Sequence, residues 1–158
     1  MALEIHQLTA KDAALMVALV QMFGAAFNDR ETYTGNSPSQ DYLSRLLNHG
    51  MFIALAAVEN NTVVGGIAAY ELMKFEQERS EIYIYDLAVA LEYRRRGIAT
   101  ALIEKLKVIA AKRGASIIFV QADQGIEAEP AIALYTKLGK REDVLHFDIP
   151  VSSKCGTP

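Results

Sequence analysis

Two groups of residues in this chain have the types and spacing that chemistry requires. The first is the turn Arg94-Arg95-Arg96-Gly97, which joins an apolar, β-branched and aromatic run to a helical pattern opening at Ile98-Ala99-Thr100. A helix start presents backbone N–H groups without intrahelical partners and the positive end of the peptide dipoles, so it attracts anions. The arginines add fixed positive charge, and Gly97 lets the backbone come close to a ligand. The chemistry this suits is holding a pyrophosphate. Neither G-x-x-x-x-G-K-[ST] nor G-x-G-x-x-G occurs, so the two best-known phosphate loops are excluded. An ordinary strand–helix turn with solvated arginines has the same composition. The second group centres on Asp86, a carboxylate inside the otherwise apolar run Ser80-Glu81-Ile82-Tyr83-Ile84-Tyr85-Asp86-Leu87-Ala88-Val89. A carboxylate in such a place is costly without a partner, and a cationic ligand is one such partner. Capping the strand end through backbone N–H groups is the other.

Bulk properties narrow the classes. At 158 residues the chain is long enough for one domain with its own core, and 51% hydrophobic with 22% charged residues is a globular composition. A net charge of −3 and a pI near 5.6 argue against nucleic acid, whose binders carry a basic surplus. The arginine turn is the right size for a phosphate group and too short for a nucleic-acid track. The lone Cys155 makes neither an internal disulfide nor a cysteine metal site, and the three histidines lack ligand spacing, so no metal is expected. The N-terminus lacks a secretory pattern and no apolar run is long enough to span a bilayer, so the expected location is cytoplasmic.

The elements that must position these groups can be read in order. Leu3 to Leu8 reads as a short strand; Thr9 as the cap of an amphipathic helix over Ala10–Phe27, with Asp12 in its first turn. Asn28 to Asn36 is polar and turn-rich. Ser37-Pro38-Ser39-Gln40 predicts a helix start with Ser37 as cap and Pro38 first, and Tyr42, Leu43, Leu46 and Leu47 supply the apolar stripe. Met51–Val58 and Val63–Leu72 read as strands around a turn at Glu59–Thr62, and Gly65-Gly66 marks a bulge or close packing. The strand from Ser80 follows, then a helix to Arg113 stopped by Gly114. Ser116–Ala122 reads as a strand buried on both faces, which makes a parallel strand–helix–strand unit around the arginine turn. Asp123–Glu129 is an acidic loop, Pro130 opens a helix to Leu138 stopped by Gly139, and Asp143–Ile149 alternates as a last half-exposed strand. The predicted architecture is α/β (α+β): a mixed, mostly antiparallel sheet with one parallel crossover and about four flanking helices. Residues 1–151 are expected to form a single domain, followed by a disordered tail at 152–158.

The spacing Arg94-x-x-Gly97-x-Ala99, after an apolar strand and at a helix start, resembles the R/Q-x-x-G-x-G/A signature of the GNAT superfamily of acetyl-CoA-dependent N-acetyltransferases. Ala131-Ile132-Ala133-Leu134-Tyr135-Thr136-Lys137-Leu138-Gly139 resembles that family's A-x-x-L-Y-x-K-x-G segment. Phe75-Glu76-Gln77, the Ser80–Val89 run, Val120-Gln121-Ala122-Asp123, Ala133–Gly139 and His146-Phe147-Asp148-Ile149 are similar to the type I aminoglycoside 3-N-acetyltransferases. The loop Asp123–Pro130 departs from that group by being longer.

The resemblance implies direct transfer of an acetyl group from acetyl-CoA to the 3-amino group of an aminoglycoside, as an antibiotic-resistance activity in a homodimer. It implies that Leu87, Ala88, Val89, Arg94, Arg95, Arg96, Gly97, Ile98, Ala99 and Thr100 bind the coenzyme, the strand through its backbone and the turn through the pyrophosphate. An ammonium must lose a proton before it attacks, and Asp86 is the candidate base, with Glu81 acting through water as runner-up. Tyr135 is the candidate acid toward the departing thiolate; as a bare residue flanked by Leu134 and Leu138, without the surrounding motif, it reads as core. A polycationic substrate calls for an acidic pocket, for which Asp123, Glu127, Glu129, Glu142, Asp143 and Asp148 are candidates beside Asp86. Two other readings compete. One is a relative acetylating a polyamine or a protein N-terminus. The other is a non-catalytic acyl-CoA-binding regulatory domain, which needs neither Asp86 nor Tyr135.

Overall fold

Runs of apolar and small residues from Phe52 to Val89 make the centre of the fold, three antiparallel strands in a computed structural model that describes residues 2–152. The chain divides into two compact units, Met1–Gln121 and Ala122–Pro158. The first unit holds a sheet in the order β1 (Glu4–Gln7), β2 (Phe52–Glu59), β3 (Thr62–Met73), β4 (Ser80–Val89) and β5 (Ala115–Val120). All neighbours are antiparallel except β4 and β5, which are parallel and joined by the helix α3 (Ile98–Arg113). The expected mixed sheet with one crossover is therefore the observed one.

The β2–β3 hairpin closes through Asn60 and Asn61 at φ 52° and 61°, the left-handed pair of a two-residue turn that asparagine tolerates. Close packing explains Gly66: a Cβ there would lie 2.3 Å from Leu19 Cδ1 and 2.5 Å from the Leu55 carbonyl oxygen. That contact seats the helix α1 (Ala13–Ala26) on the sheet, where Met16, Leu19, Met22 and Phe23 join Phe52, Ala54, Ala56 and Ala88 in one buried cluster with Leu43 and Leu47 of the helix α2 (Gln40–Leu47). Helix α3 covers the opposite face, packing on β2, β3, β4 and β5 with Leu102 and Leu106 fully buried.

Several local expectations are corrected. The first helix begins with a 3-10 turn, Ala10–Asp12, held by a reciprocal cap in which Thr9 N donates to Asp12 Oδ2 at 2.7 Å and Lys11 N to Thr9 Oγ1 at 3.3 Å. The cap of α2 is Ser39, whose hydroxyl accepts from Tyr42 N at 3.1 Å; Ser37 instead donates to the Thr34 carbonyl at 3.0 Å. The polar stretch after α1 contains a single π-helical turn, Glu31–Gly35. Strand β5 is not buried on both faces, since Ile117 is 54% exposed and β5 ends the sheet among the described residues. A continuous apolar run does not by itself distinguish a central from an end strand.

The second unit, described by itself, contains a 3-10 turn at Ile126–Ala128 and the helix α4 (Glu129–Leu138), with Pro130 in its first turn and Gly139 after its end. The expected strand at Asp143–Ile149 is absent among the described residues. Alternation is a necessary pattern for a strand, but the element exists only with a ladder partner, and none pairs here. No helix among the described residues is long and apolar enough to cross a membrane. The tail expected at 152–158 lies, beyond Ser152, outside the described residues, as does Cys155.

Candidate active site

A one-residue bulge decides where Asp86 points. On β3 the odd residues Gly65, Ile67 and Ala69 pair with Val89, Leu87 and Ile84, whereas the even residues Gly66 and Ala68 pair with Ala88 and Asp86. The register shifts between Ala68 and Ala69, leaving Tyr85 as the extra residue. Side chains alternate along a strand, so without this insertion Asp86 would share the face of the buried Ile82 and Ile84. With it, Asp86 turns to the face covered by α1 and lies beside Tyr85.

There Asp86 meets Tyr33 from the π-helical turn, whose hydroxyl donates to Asp86 Oδ2 at 2.8 Å. Tyr33 packs against the stacked pair Phe23 and Phe27, at ring separations of 6.2 and 5.7 Å. Burial raises the Asp86 pKa above the usual aspartate range, and the Tyr33 hydrogen bond opposes that shift. Tyr33 is itself pushed well above the ordinary phenol range, by burial first and then by its bond to Asp86, so it remains a donor. Burial also raises Tyr70 and Tyr83, which carry a ring row across this face: Phe52–Tyr70 at 5.2 Å, Tyr70–Tyr85 at 6.0 Å, Tyr83–Tyr85 at 5.9 Å and Tyr83–Phe119 at 4.8 Å. The resulting site is a half-buried carboxylate among phenols, suited to receive a cation and take its proton.

Glu81 has a different setting. Its Oε1 accepts from Lys74 Nζ at 3.1 Å, and it lies about 15 Å from Asp86 along the strand. The structure brings Asp86 together with Tyr33 and not with Glu81.

Beyond the bulge, β4 parts from β5. Their pairing ends at Ile84 and Val120, while β4 continues to Val89. Ala90 N donates to Val64 O at 2.8 Å, so alternate backbone groups face β3. It follows that Ala88 also turns its backbone to β3, whereas Leu87 and Val89 turn theirs to the open side. Arg94 Nε takes the Val89 carbonyl at 3.1 Å, which leaves N–H groups and the Leu87 carbonyl there for an extended ligand.

The arginine turn has a division of labour the sequence did not disclose. Arg94 also reaches Ala26 O at 3.4 Å. Arg96 forms a two-point pair with Glu59, at 2.7 and 3.2 Å, and lies 5.3 Å over the Tyr93 ring. That guanidinium holds the Glu59 carboxyl below its usual range. Arg95, at φ 62°, has no polar partner among the described residues. Gly97 stands at φ 78° with nothing within 4 Å of where a Cβ would be, and no side chain caps the helix that follows. Left-handed residues at Arg95 and Gly97 curl the backbone before the open N–H groups of Ile98, Ala99 and Thr100, an anion-binding concavity. Ile98 is anchored below it, its Cγ2 lying 3.2 Å from where a Gly65 Cβ would be. These residues fit a diphosphate-bearing ligand.

The remaining candidates belong to the second unit. Tyr135 is half-buried on α4, and its carbonyl accepts from Gly139 N at 2.8 Å. Asp123, Glu127, Glu129, Glu142, Asp143 and Asp148 are all exposed; Glu129 lies in the first turn of α4, and Asp148 pairs with His146 at 2.9 Å. No cluster of metal-ligating residues occurs among the described residues. Tyr33 is the residue that sequence reasoning missed. Its signal was an aromatic residue isolated within the polar stretch 28–36.

The chain is similar to known proteins. Residues 16–140 match the acetyltransferase (GNAT) family. The chain is 31% identical over 121 residues to an N-alpha-acetyltransferase of Saccharolobus solfataricus, covering 70% of this chain and 68% of that one. Among solved structures, an aminoglycoside acetyltransferase from an uncultured soil metagenomic sample is 69% identical with a TM-score of 0.94, over 96% of this chain and 100% of that one. Another such enzyme from an uncultured soil sample, in complex with sisomicin, is 30% identical with a TM-score of 0.87, over 95% and 97%.

Proposed function

The chain belongs to the GNAT acetyltransferase family, and from that premise we propose that it transfers the acetyl group of acetyl-CoA to the 3-amino group of an aminoglycoside, as a resistance enzyme. The observation that carries the substrate class is the 69% identity, over nearly the full length of both chains, to a structure described as an aminoglycoside acetyltransferase. The 3-position rests on the resemblance of Ser80–Val89 and Ala133–Gly139 to the 3-N-acetylating group. The family match spans both compact units, which supports a single acetyltransferase domain over residues 1–151. We take the working state to be a cytoplasmic homodimer.

Acetyl-CoA supplies the acetyl thioester as acyl donor. Arg95, Gly97 and the N–H groups of Ile98–Thr100 hold its diphosphate, while Leu87 and Val89 pair with its pantetheine arm in the manner of an added strand. Arg94, Arg96 and Ala88 serve that surface by shaping the turn and strand around it. Asp86 takes one proton from the substrate ammonium through the oxygen that Tyr33 leaves free, so that the nitrogen lone pair can form the new C–N bond. As the C–S bond breaks, Tyr135 gives a proton to the sulfur, and the second proton lost by the nitrogen restores the Tyr135 phenol through solvent, so the net products are amide, thiol and the one proton that Asp86 passes to water. Glu81, held by Lys74, is the secondary route for the proton through water. Asp86 and the acidic residues Asp123, Glu127, Glu129, Glu142, Asp143 and Asp148 bind the polycation.

The 31% identity to an N-alpha-acetyltransferase favours a protein N-terminus as the second substrate reading. Thiol release from acetyl-CoA, measured with gentamicin, spermidine and a short peptide side by side, separates the readings. Turnover on gentamicin far above the others is expected. Turnover on spermidine or peptide alone cancels the aminoglycoside reading, and tight coenzyme binding without turnover on any of the three transfers weight to a regulatory binder.

A further inference from the structure

We propose that Tyr33 is a positioning residue for this reaction, its hydroxyl fixing one oxygen of Asp86 so that the other is presented to the amine. The inference rests on the reading of Asp86 as base. Its observation is a 2.8 Å hydrogen bond between residues 53 apart in sequence, and a seat built to maintain it. A Cβ on Gly24 would lie 3.0 Å from Tyr33 Cβ, so the bare backbone of α1 makes room for this side chain. Phe23 and Phe27 hold the ring from the helix side. The turn is tied down from within: Thr32 N donates to Asp29 Oδ1 at 3.2 Å, Tyr33 N to Asp29 O at 3.4 Å, and Thr34 Oγ1 to Arg30 O at 2.6 Å. Packing alone would be served by phenylalanine, since an enclosed hydroxyl is costly until it finds an acceptor.

The groups facing Asp86 make its titration legible. They are Tyr33 from the π-helical turn, Tyr70 from β3, and Tyr83 and Tyr85 from β4, with Asp29 next to Tyr33. Helix α1, packed on the same strand, carries no ionisable side chain. Tyr33 supplies the hydrogen bond that favours ionised Asp86, against the burial that disfavours it. Removing the hydroxyl moves Asp86 further toward the protonated form, so the acid limb of the rate profile must move to higher pH.

The test is the pH dependence of kcat/KM for gentamicin at saturating acetyl-CoA, in wild type, Tyr33→Phe, Gly24→Ala and Asp86→Asn. Tyr33→Phe keeps the ring and is expected to lose roughly ten- to a hundredfold at pH 7. Its acid limb should move to higher pH while the KM for acetyl-CoA stays unchanged. Gly24→Ala keeps the hydroxyl but presses on its seat, and should move the limb in the same direction by less. A purely structural role would lower the melting temperature and leave the limb in place. An unmoved limb in both variants, with Asp86→Asn inactive, overturns the role of Tyr33 alone. Full turnover by Asp86→Asn overturns the reading of Asp86 and this inference with it. Carboxyl ¹³C titration of Asp86 in the protein without substrate gives the same answer independently of catalysis: a raised value in Tyr33→Phe is expected, and an unchanged one contradicts the inference.

Discussion

In its proposed role as base, Asp86 must be enclosed enough to prefer a cationic partner and ionised enough to take its proton. Burial raises its pKa and Tyr33 restrains the rise, so the carboxylate is balanced between these demands. Asp86→Ala should therefore cut turnover by orders of magnitude, with acetyl-CoA affinity measured by titration nearly unchanged; retained turnover removes its assigned role. A second consequence concerns stability. With the folded-state pKa above the unfolded one, the native state binds more protons between the two values, and stability falls as pH rises through that window. Asp86→Asn should thus melt higher than wild type at neutral pH. The difference should shrink as pH is lowered through the folded pKa of Asp86 toward its ordinary value of 3.8. Asp86 was legible in the sequence as a charge in an apolar run. Tyr33 was not, because its contact depends on a turn whose geometry no local pattern of residues 28–36 announces.

Strands and helices put these groups in place through backbone exceptions. The bulge at Tyr85 reverses the side-chain alternation of β4, so that one strand feeds Ile82 and Ile84 to one face and Asp86 and Ala88 to the other. Apolar spacing revealed β4 to its ends, yet the bulge is a property of its pairing with β3 and has no signature within the strand itself. The turns were legible for the opposite reason: Asn60-Asn61, Gly97 and Gly114 hold left-handed backbone, which few residues adopt readily. Gly66→Ala should lower the melting temperature by roughly 2–12 °C, because the new methyl meets the Leu55 carbonyl as well as Leu19. At the arginine turn, Gly97→Ala meets no neighbour but strains a φ of 78°, at a cost of about 1–2 kcal/mol. Both it and Arg95→Ala should raise the KM for acetyl-CoA in steady-state assays while leaving the KM for the amine nearly unchanged. An effect confined to the amine would mean that the coenzyme cradle is misplaced. The missing strand at Asp143–Ile149 marks the limit of period-two patterns, which state a preference for a ladder without naming a partner.

At the scale of the whole molecule, the sequence carried the order of elements because most of it is written locally, in caps, glycines and apolar periodicity. The parallel crossover followed from strand–helix–strand order alone, since short connections between parallel strands are excluded. Substrate identity is encoded less directly. On the proposed reading it depends on how exposed carboxylates such as Asp123, Glu127 and Glu142 combine, and a solvated acidic residue looks the same in sequence whether or not it binds a cation. On the proposed reading this chain places an acetyl group on the 3-amine of an aminoglycoside. NMR mapping of the product formed from gentamicin and acetyl-CoA labelled with ¹³C in the acetyl group decides the point. A single labelled amide on the 3-nitrogen is expected. A label on any other nitrogen contradicts the assigned position, and an unlabelled drug after prolonged incubation with active coenzyme-binding protein contradicts the claim itself.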